Sequence, residues 1–255
     1  MAESLSTVRT GPVTTITIDR PHRMNAITPE LWADLLAAFR QVADSDTRVL
    51  VLTGAGGNFC TGADLSGDED AGRPLTFMRT VEETCLALHR LDVPVIARVD
   101  GYAVGAGMNL ALACDFVVAS DRARFSQIFA RRGLTIDAGG SWLLPRLVGL
   151  HRAKELAMLG DMIGADTARE YGLVHSVVPA ADLDAAVAAL AERLAAGPPA
   201  ALGLIKRLLN RSFESDFAGA LANETVAQSL IIGSDDAREA LDAFREKREP
   251  RFTGR

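Results

Sequence analysis

Two stretches of this sequence set a bare, glycine-rich turn directly after an apolar run. Residues 48–65 read R-V-L-V-L-T-G-A-G-G-N-F-C-T-G-A-D-L, and residues 95–120 read V-I-A-R-V-D-G-Y-A-V-G-A-G-M-N-L-A-L-A-C-D-F-V-V-A-S. In the second, the apolar run breaks at Asp100-Gly101, and Gly105-Ala106-Gly107 leads into a helical pattern with Asn109 near its start. A strand that feeds a helix through such a turn leaves backbone N–H groups without acceptors, and these suit an oxygen carrying negative charge. Two turns of this kind can each aim one donor at a common point. The expectation is an oxyanion hole made by the N–H groups of Ala63 and Ala106. In enzymes that use such pairs, one donor is worth about 3 kcal/mol of barrier.

Other catalytic patterns fail. The third glycine of a dinucleotide fingerprint would fall at Leu110 in one turn and at Phe59 in the other, and neither a phosphate-binding G-x-x-x-x-G-K-[ST] nor a G-x-S-x-G elbow is present. Ser141, in G-G-S-W, reads as a helix cap, and so does Asp64. Taken alone, Asp137 in T-I-D-A-G-G-S-W reads as a turn or cap residue before Gly139-Gly140. No two of His22, His89, His151 and His175 stand at a metal-ligand spacing, so no metal is expected. His89 and His151 fall on helical patterns and are expected at the surface or an interface. His22, beside Arg20 and Arg23, is a candidate for contact with a phosphate.

The elements that must position these residues follow from periodicity. Residues 13–19 are β-branched and predict a strand. Thr28 caps a helix with Pro29 at its first position and Leu31, Leu35, Phe39 and Val42 on one face. Residues 49–52 predict a strand buried on both faces. Residues 75–91 predict a helix, with strands after Pro94 and over 115–119. Residues 66–73 are polar and loop-like, and 124–142 read as irregular. From His151 onward the pattern is helical, with Gly160 and Gly172 as stops and a short return to strand near 173–178.

A net charge of −6 offers no basic footprint, which argues against nucleic acid or an anionic membrane surface as partner. The most apolar region, 93–119, is interrupted by Arg98, Asp100, Asn109 and Asp115 and is no membrane span. The first ten residues lack the apolar core of a signal peptide. Cys60, Cys85 and Cys114 are odd in number, lack C-x-x-C spacing and read as buried free thiols. The expected compartment is the cytoplasm.

Together these pieces resemble the crotonase (enoyl-CoA hydratase/isomerase) superfamily. The resemblance rests on R-P-H-R-M-N-A-I at 20–27, F-C-T-G-A-D-L at 59–65, D-G-Y-A-V-G-A-G-M-N-L-A-L-A-C-D at 100–115, A-R-F-S-Q at 123–127, G-L-T-I-D-A-G-G-S-W-L-L-P-R-L-V-G at 133–149 and A-R-E-Y-G-L-V at 168–174, in that order. It implies an α/β fold: a spiral of β-β-α turns over residues 1–195, carrying a CoA-thioester site, and a helical region over 196–255 that mediates trimerisation. The implied partners are an acyl-CoA thioester and the chain itself, as a homotrimer or a dimer of trimers. No cofactor is implied beyond the coenzyme A of the substrate. By position, CoA would lie along Arg23, Met24 and Ala26 and along Ala63, Asp64, Leu65 and Ser66, with Ala106 completing the oxyanion hole. Phe129 would line the acyl pocket with Trp142. Lys247 would reach the CoA phosphate, the alternative being a solvated charge.

Hydratases of this family use two glutamates, and the matching positions here are Asn109 and Phe129, neither of which exchanges a proton at neutral pH. The acid that remains is Asp137, at a position that resembles the phenylacetate-pathway ring-epoxide isomerase and enoyl-CoA isomerases. An isomerase needs one base that takes a proton from one carbon and returns it to another. The expected activity is therefore isomerisation of an enoyl-CoA or ring-CoA with Asp137 as base. Hydratase activity in fatty-acid degradation and non-catalytic acyl-CoA binding are the alternatives. Asn109 either orients substrate or bonds the loop near Gly105.

Overall fold

In the computed structural model, which describes residues 4–66 and 74–255, the chain begins with an antiparallel pair, β1 (Leu5–Thr10) and β2 (Val13–Ile18). β2 alternates half-buried and buried positions, as its β-branched pattern requires. β1 was not anticipated, because its L-S-T-V-R-T lies on the sheet edge with its later residues in solvent and shows no core-facing alternation.

Helix α1 (Pro29–Ala43) starts as expected: Thr28 Oγ1 accepts the Leu31 N–H at 3.3 Å, and Leu31, Trp32, Leu35, Leu36, Phe39 and Val42 are buried. β3 (Val49–Gly54) is buried throughout. Helix α2 (Pro74–His89) packs on α1, where Thr84 Oγ1 donates to the Trp32 carbonyl at 3.0 Å. β4 (Val95–Val99), β5 (Tyr102–Val104), α3 (Ala106–Leu112) and β6 (Phe116–Ser120) follow, then β7 (Arg124–Ser126) and a 3-10 turn at Ile128–Arg132. Helix α4 (Gly140–Leu159) breaks at Gly149, and β8 (Ile163–Gly164), α5 (Ala165–Tyr171) and β9 (Ser176–Val178) close the core. Gly160 and Gly172 end their helices in left-handed conformation. Helices α6 (Leu183–Ala195), α7 (Pro199–Arg211), α8 (Phe217–Ile231) and α9 (Asp235–Glu246) complete the chain.

The main sheet has the order β1-β2-β3-β4-β6-β9, parallel except for β1. Its strands carry alternate residues to two layers. Leu50 and Leu52 join Leu31, Leu35 and Phe39 beneath α1, while Val49 and Val51 join Leu183, Val187 and Ala191 of α6 on the other face. A second sheet, β5-β7-β8, stands beside α3. The stretch expected to be irregular thus contains β7, a 3-10 turn and the start of α4, because a three-residue strand is too short to show a period.

The last residues fold back on the body. Asp236 accepts the N–H groups of Thr253 and Gly254 at 2.6 and 2.9 Å, and Arg48 donates to the carbonyls of Ala195 and Phe252 at 3.1 and 2.8 Å. Among the described residues, no helix is long and apolar enough to cross a membrane. Of the polar stretch 66–73, all but Ser66 lies outside the described residues.

Candidate active site

The segment after β2 is held by one buried amide. Asn25, in left-handed conformation, donates to the carbonyls of Ala55 and Asn58, both at 2.8 Å, and accepts the Arg20 N–H at 2.9 Å. This brings residues 23–27 alongside 61–64. Thr61 N–H donates to the Met24 carbonyl at 3.2 Å, Ile27 N–H to Gly62 at 2.8 Å, and Asp64 N–H to Ile27 at 2.9 Å. Arg23, Met24, Leu65 and Ser66 are exposed on this double loop, and Ala26 is buried within it. Asp64 was expected to cap a helix, but the described residues that follow it, Leu65 and Ser66, form a turn. Instead Asp64 binds Ser66 N–H and Oγ at 3.0 and 2.6 Å and pairs with Arg20 at 2.9 Å. The Ser66 hydroxyl, together with Arg20, holds its carboxyl down to about 2.

The two glycine-rich turns meet. Val104 N–H donates to the Cys60 carbonyl at 2.9 Å, so β5 runs against residues 59–60. Gly62, at φ +88, fits because a Cβ there would lie 2.9 Å from the Val104 carbonyl oxygen and 3.4 Å from the Ala106 nitrogen. Gly105 turns the chain into α3 at φ 56, ψ −126, which an L side chain resists. Among the described residues, neither the Ala63 N–H nor the Ala106 N–H finds an acceptor. Ala106 is buried, and Ala63 is exposed.

Asp137 sits just before α4. Its carbonyl accepts the Gly140 N–H at 2.9 Å and the Asn109 amide at 2.9 Å, and Gln127 Nε2 donates to Asn109 Oδ1 at 2.7 Å. Ala138 and Gly139 are both left-handed. The Asp137 side chain does not cap α4, whose N-cap is Gly139. Its Oδ1 is buried without a partner, and burial pushes its carboxyl up to about 6. It lines a cavity of about 860 Å³ between α2, the start of α4 and α7. Cys85, His89 and Trp142 share that wall, with His89 edge-on to Trp142 at 5.3 Å. Burial raises the Cys85 thiol to about 12 and lowers His89. Lys206, also on the wall, pairs with Asp115 at 2.8 Å.

Several expectations change. Phe129 does not line this cavity; its ring lies against Gly105, 3.7 Å from where a Cβ would stand, beside the Ala106 turn. Ser141 is no cap, because α4 starts one residue earlier. His89 is half-buried on the cavity wall rather than a surface residue, and Cys85 is only partly buried. The Asn109 side chain bonds the Asp137 carbonyl and Gln127 rather than the loop near Gly105. His22 and His151 are exposed. Lys247 is the exposed C-cap of α9, and no hydrogen bond joins it to residues 23–26 or 63–66. Sequence reasoning passed over Gln127, Cys85 and Lys206 as site residues. The available signal for Lys206 was a lone lysine among the apolar residues of α7; nothing local marked Gln127, because the strand before it reads Arg-Phe-Ser.

These features define an α/β protein that carries two unpaired backbone donors on abutting turns and, nearby in the fold, a desolvated carboxyl on a cavity. The chain belongs to the enoyl-CoA hydratase/isomerase family, whose pattern matches residues 9–255. It is 43% identical over 242 residues to a probable enoyl-CoA hydratase of Rhodobacter capsulatus, covering 94% of each chain. It is 40% identical to 1,2-epoxyphenylacetyl-CoA isomerase of Escherichia coli, covering 98% of each. The crystal structure of enoyl-CoA hydratase from Bacillus anthracis superposes with a TM-score of 0.93 at 35% identity, over 99% of this chain and 100% of that one. The expected crotonase fold, an α/β spiral followed by a helical C-terminal region, is therefore present.

Proposed function

We propose that the protein isomerises the double bond of an enoyl-CoA, or of a ring-bearing acyl-CoA, with Asp137 as the base. The thioester oxygen would accept the Ala63 and Ala106 N–H groups. The Asp137 carboxylate would take a proton from C2 of a 3-enoyl thioester, leaving an enolate whose charge rests on that oxygen. The same carboxyl would return the proton to C4, giving the conjugated 2-enoyl product. A carboxyl near 6 is ionised at neutral pH yet basic enough to assist. CoA would follow the double loop of Arg23, Met24, Ala26, Asp64, Leu65 and Ser66. Lys247, of the same or a neighbouring copy, is proposed for its phosphate. No cofactor is invoked.

The observation that carries this reading is Asp137 Oδ1, buried on the cavity without a partner; the family resemblance, which implies that Asn109 and Phe129 replace the hydratase glutamates, adds to it. The kinship with the E. coli isomerase supports it, and the kinship with the R. capsulatus protein supports hydratase action as the second reading. One experiment separates them. Purified protein is given 3-hexenoyl-CoA and 2-hexenoyl-CoA while conjugated-thioester absorbance is followed. Isomerisation raises the signal with the first substrate and is lost in Asp137→Asn. A falling signal with the second, with 3-hydroxyacyl-CoA formed, would refute the proposed mechanism.

A further inference from the structure

Gln127 and Asn109 are both fully buried, yet both are polar and neither belongs to a catalytic group named so far. Gln127 leaves β7 for the 3-10 turn that carries Phe129, and its Nε2 donates to Asn109 Oδ1 at 2.7 Å. Asn109 passes the contact on through its Nδ2, which donates to the Asp137 carbonyl at 2.9 Å. Asn109 also lies three residues beyond Ala106 in the same helix, α3, and its own N–H is bonded to Gly105 at 3.1 Å. The chain of bonds therefore spans the turn that offers the Ala106 donor and the loop that carries Asp137.

Two observations separate this arrangement from ordinary core filling. Gln127 Oε1 is buried with no partner, a state that lowers stability and that an apolar side chain of similar size would avoid. The loop it braces includes Ala138 at φ +47, a strained conformation for a residue with a Cβ, which persists only where the surroundings hold it. Asp137 Oδ1, one residue away, is likewise left without a partner.

We infer that Gln127 and Asn109 are positioning residues, a relay that holds the Asp137 carboxylate at a set distance from the Ala106 N–H. The inference rests on the reading of Asp137 as base. The relay keeps the loop from relaxing into a conformation in which the Asp137 oxygen finds water or a nearby donor. The other titratable groups facing the cavity are Glu82, Cys85, His89 and Arg90 from α2 and its end, Lys206, Arg207 and Arg211 from α7, and Glu214 beyond it. Burial, and after it the Asp137 charge, raises the Cys85 thiol.

The test is Gln127→Leu, with 3-hexenoyl-CoA as substrate. This change removes one orphaned acceptor and creates another at Asn109 Oδ1, so the thermal midpoint should move little. The expected result is a kcat about 30- to 100-fold lower with KM within about 3-fold of wild type. The acid limb of the kcat profile should also move down toward the ordinary carboxylate range, as water reaches the released carboxyl. Asn109→Leu should show the same split more strongly, and calorimetric binding of 2-hexenoyl-CoA confirms that each variant is folded. A kcat within about 2-fold of wild type, or a lower kcat with an unmoved acid limb, overturns the relay. Asp137→Asn run in parallel separates the two readings. Full activity there overturns the base assignment and the relay with it, whereas an inactive Asp137→Asn beside an unaffected Gln127→Leu overturns the relay alone.

Discussion

At the scale of single residues, burial of Asp137 costs stability, and under the proposed function it supplies the base. Its carboxyl is raised to about 6 by burial, against an ordinary value near 4 in the unfolded chain. The folded state therefore binds its proton more tightly, and the unfavourable charge develops as pH rises from about 4 to about 6 and persists above that. Asp137→Asn removes this charge. Its thermal midpoint should exceed that of wild type at pH 8, with the gain shrinking to nothing near pH 4, while isomerase activity is abolished. Wild-type kcat/KM should fall with an apparent pKa near 6 on the acid side. A midpoint for the variant that is lower at every pH would show that the carboxylate is stabilised by its surroundings, against the desolvated reading. Little of this was legible in the sequence. Alone, T-I-D-A-G-G looked like a turn, which its backbone is; only the family pattern singled out the acid. The partners of Asn109 were misjudged because they lie 18 and 28 residues away, and side-chain bonds across such gaps leave no local trace.

At the scale of elements, legibility followed length. The caps of α1, the stops of α4 and α5 and the buried β3 are encoded within a few residues of themselves. The strands β5, β7 and β8, of two or three residues each, exist because the second sheet assembles around α3, and nothing within them announces it. The junction of α3 with α4 is equally non-local. A Cβ on Gly140 would stand 2.4 Å from Asn109 Nδ2, so the two helices approach only because the residue is glycine. Gly140→Ala should lower stability by about 1–3 kcal/mol in a denaturant titration. It should also reduce activity beyond that loss, since Asn109 must move. An unchanged denaturation midpoint would mean that the junction yields without cost.

At the scale of the whole molecule, the helical end is the part least satisfied by the chain itself. Helix α8 buries only Ala227, while Phe217, Val226 and Leu230 are 80%, 64% and 67% exposed, and Phe244 of α9 is 82% exposed. Apolar surface of this extent calls for a partner. The proposed partner is a second and third copy, as the family resemblance implies. Light scattering on the purified protein should give three or six times the mass of one chain. Val226→Asp with Leu230→Asp should reduce it to one, with the core spectrum retained. A monomeric wild type would remove this reading. Sequence periodicity indicated helices here but not their open face, because an apolar helix looks the same whether its own domain or a neighbour covers it.

The two bonds of the Arg48 guanidinium reach carbonyls 147 and 204 residues further along the chain. Contacts so distant in sequence close late, after the loops between them have been formed by other means. Arg48 is therefore expected to latch the finished fold rather than to belong to its nucleus. Arg48→Met should leave the refolding rate of the chain nearly unchanged and speed its unfolding, a φ-value near zero in a stopped-flow chevron. A refolding rate that falls in step with stability would place the latch in the transition state instead. In kinetic terms, the expectation is that the end of the chain sets how long the folded molecule lasts, not how quickly it is reached.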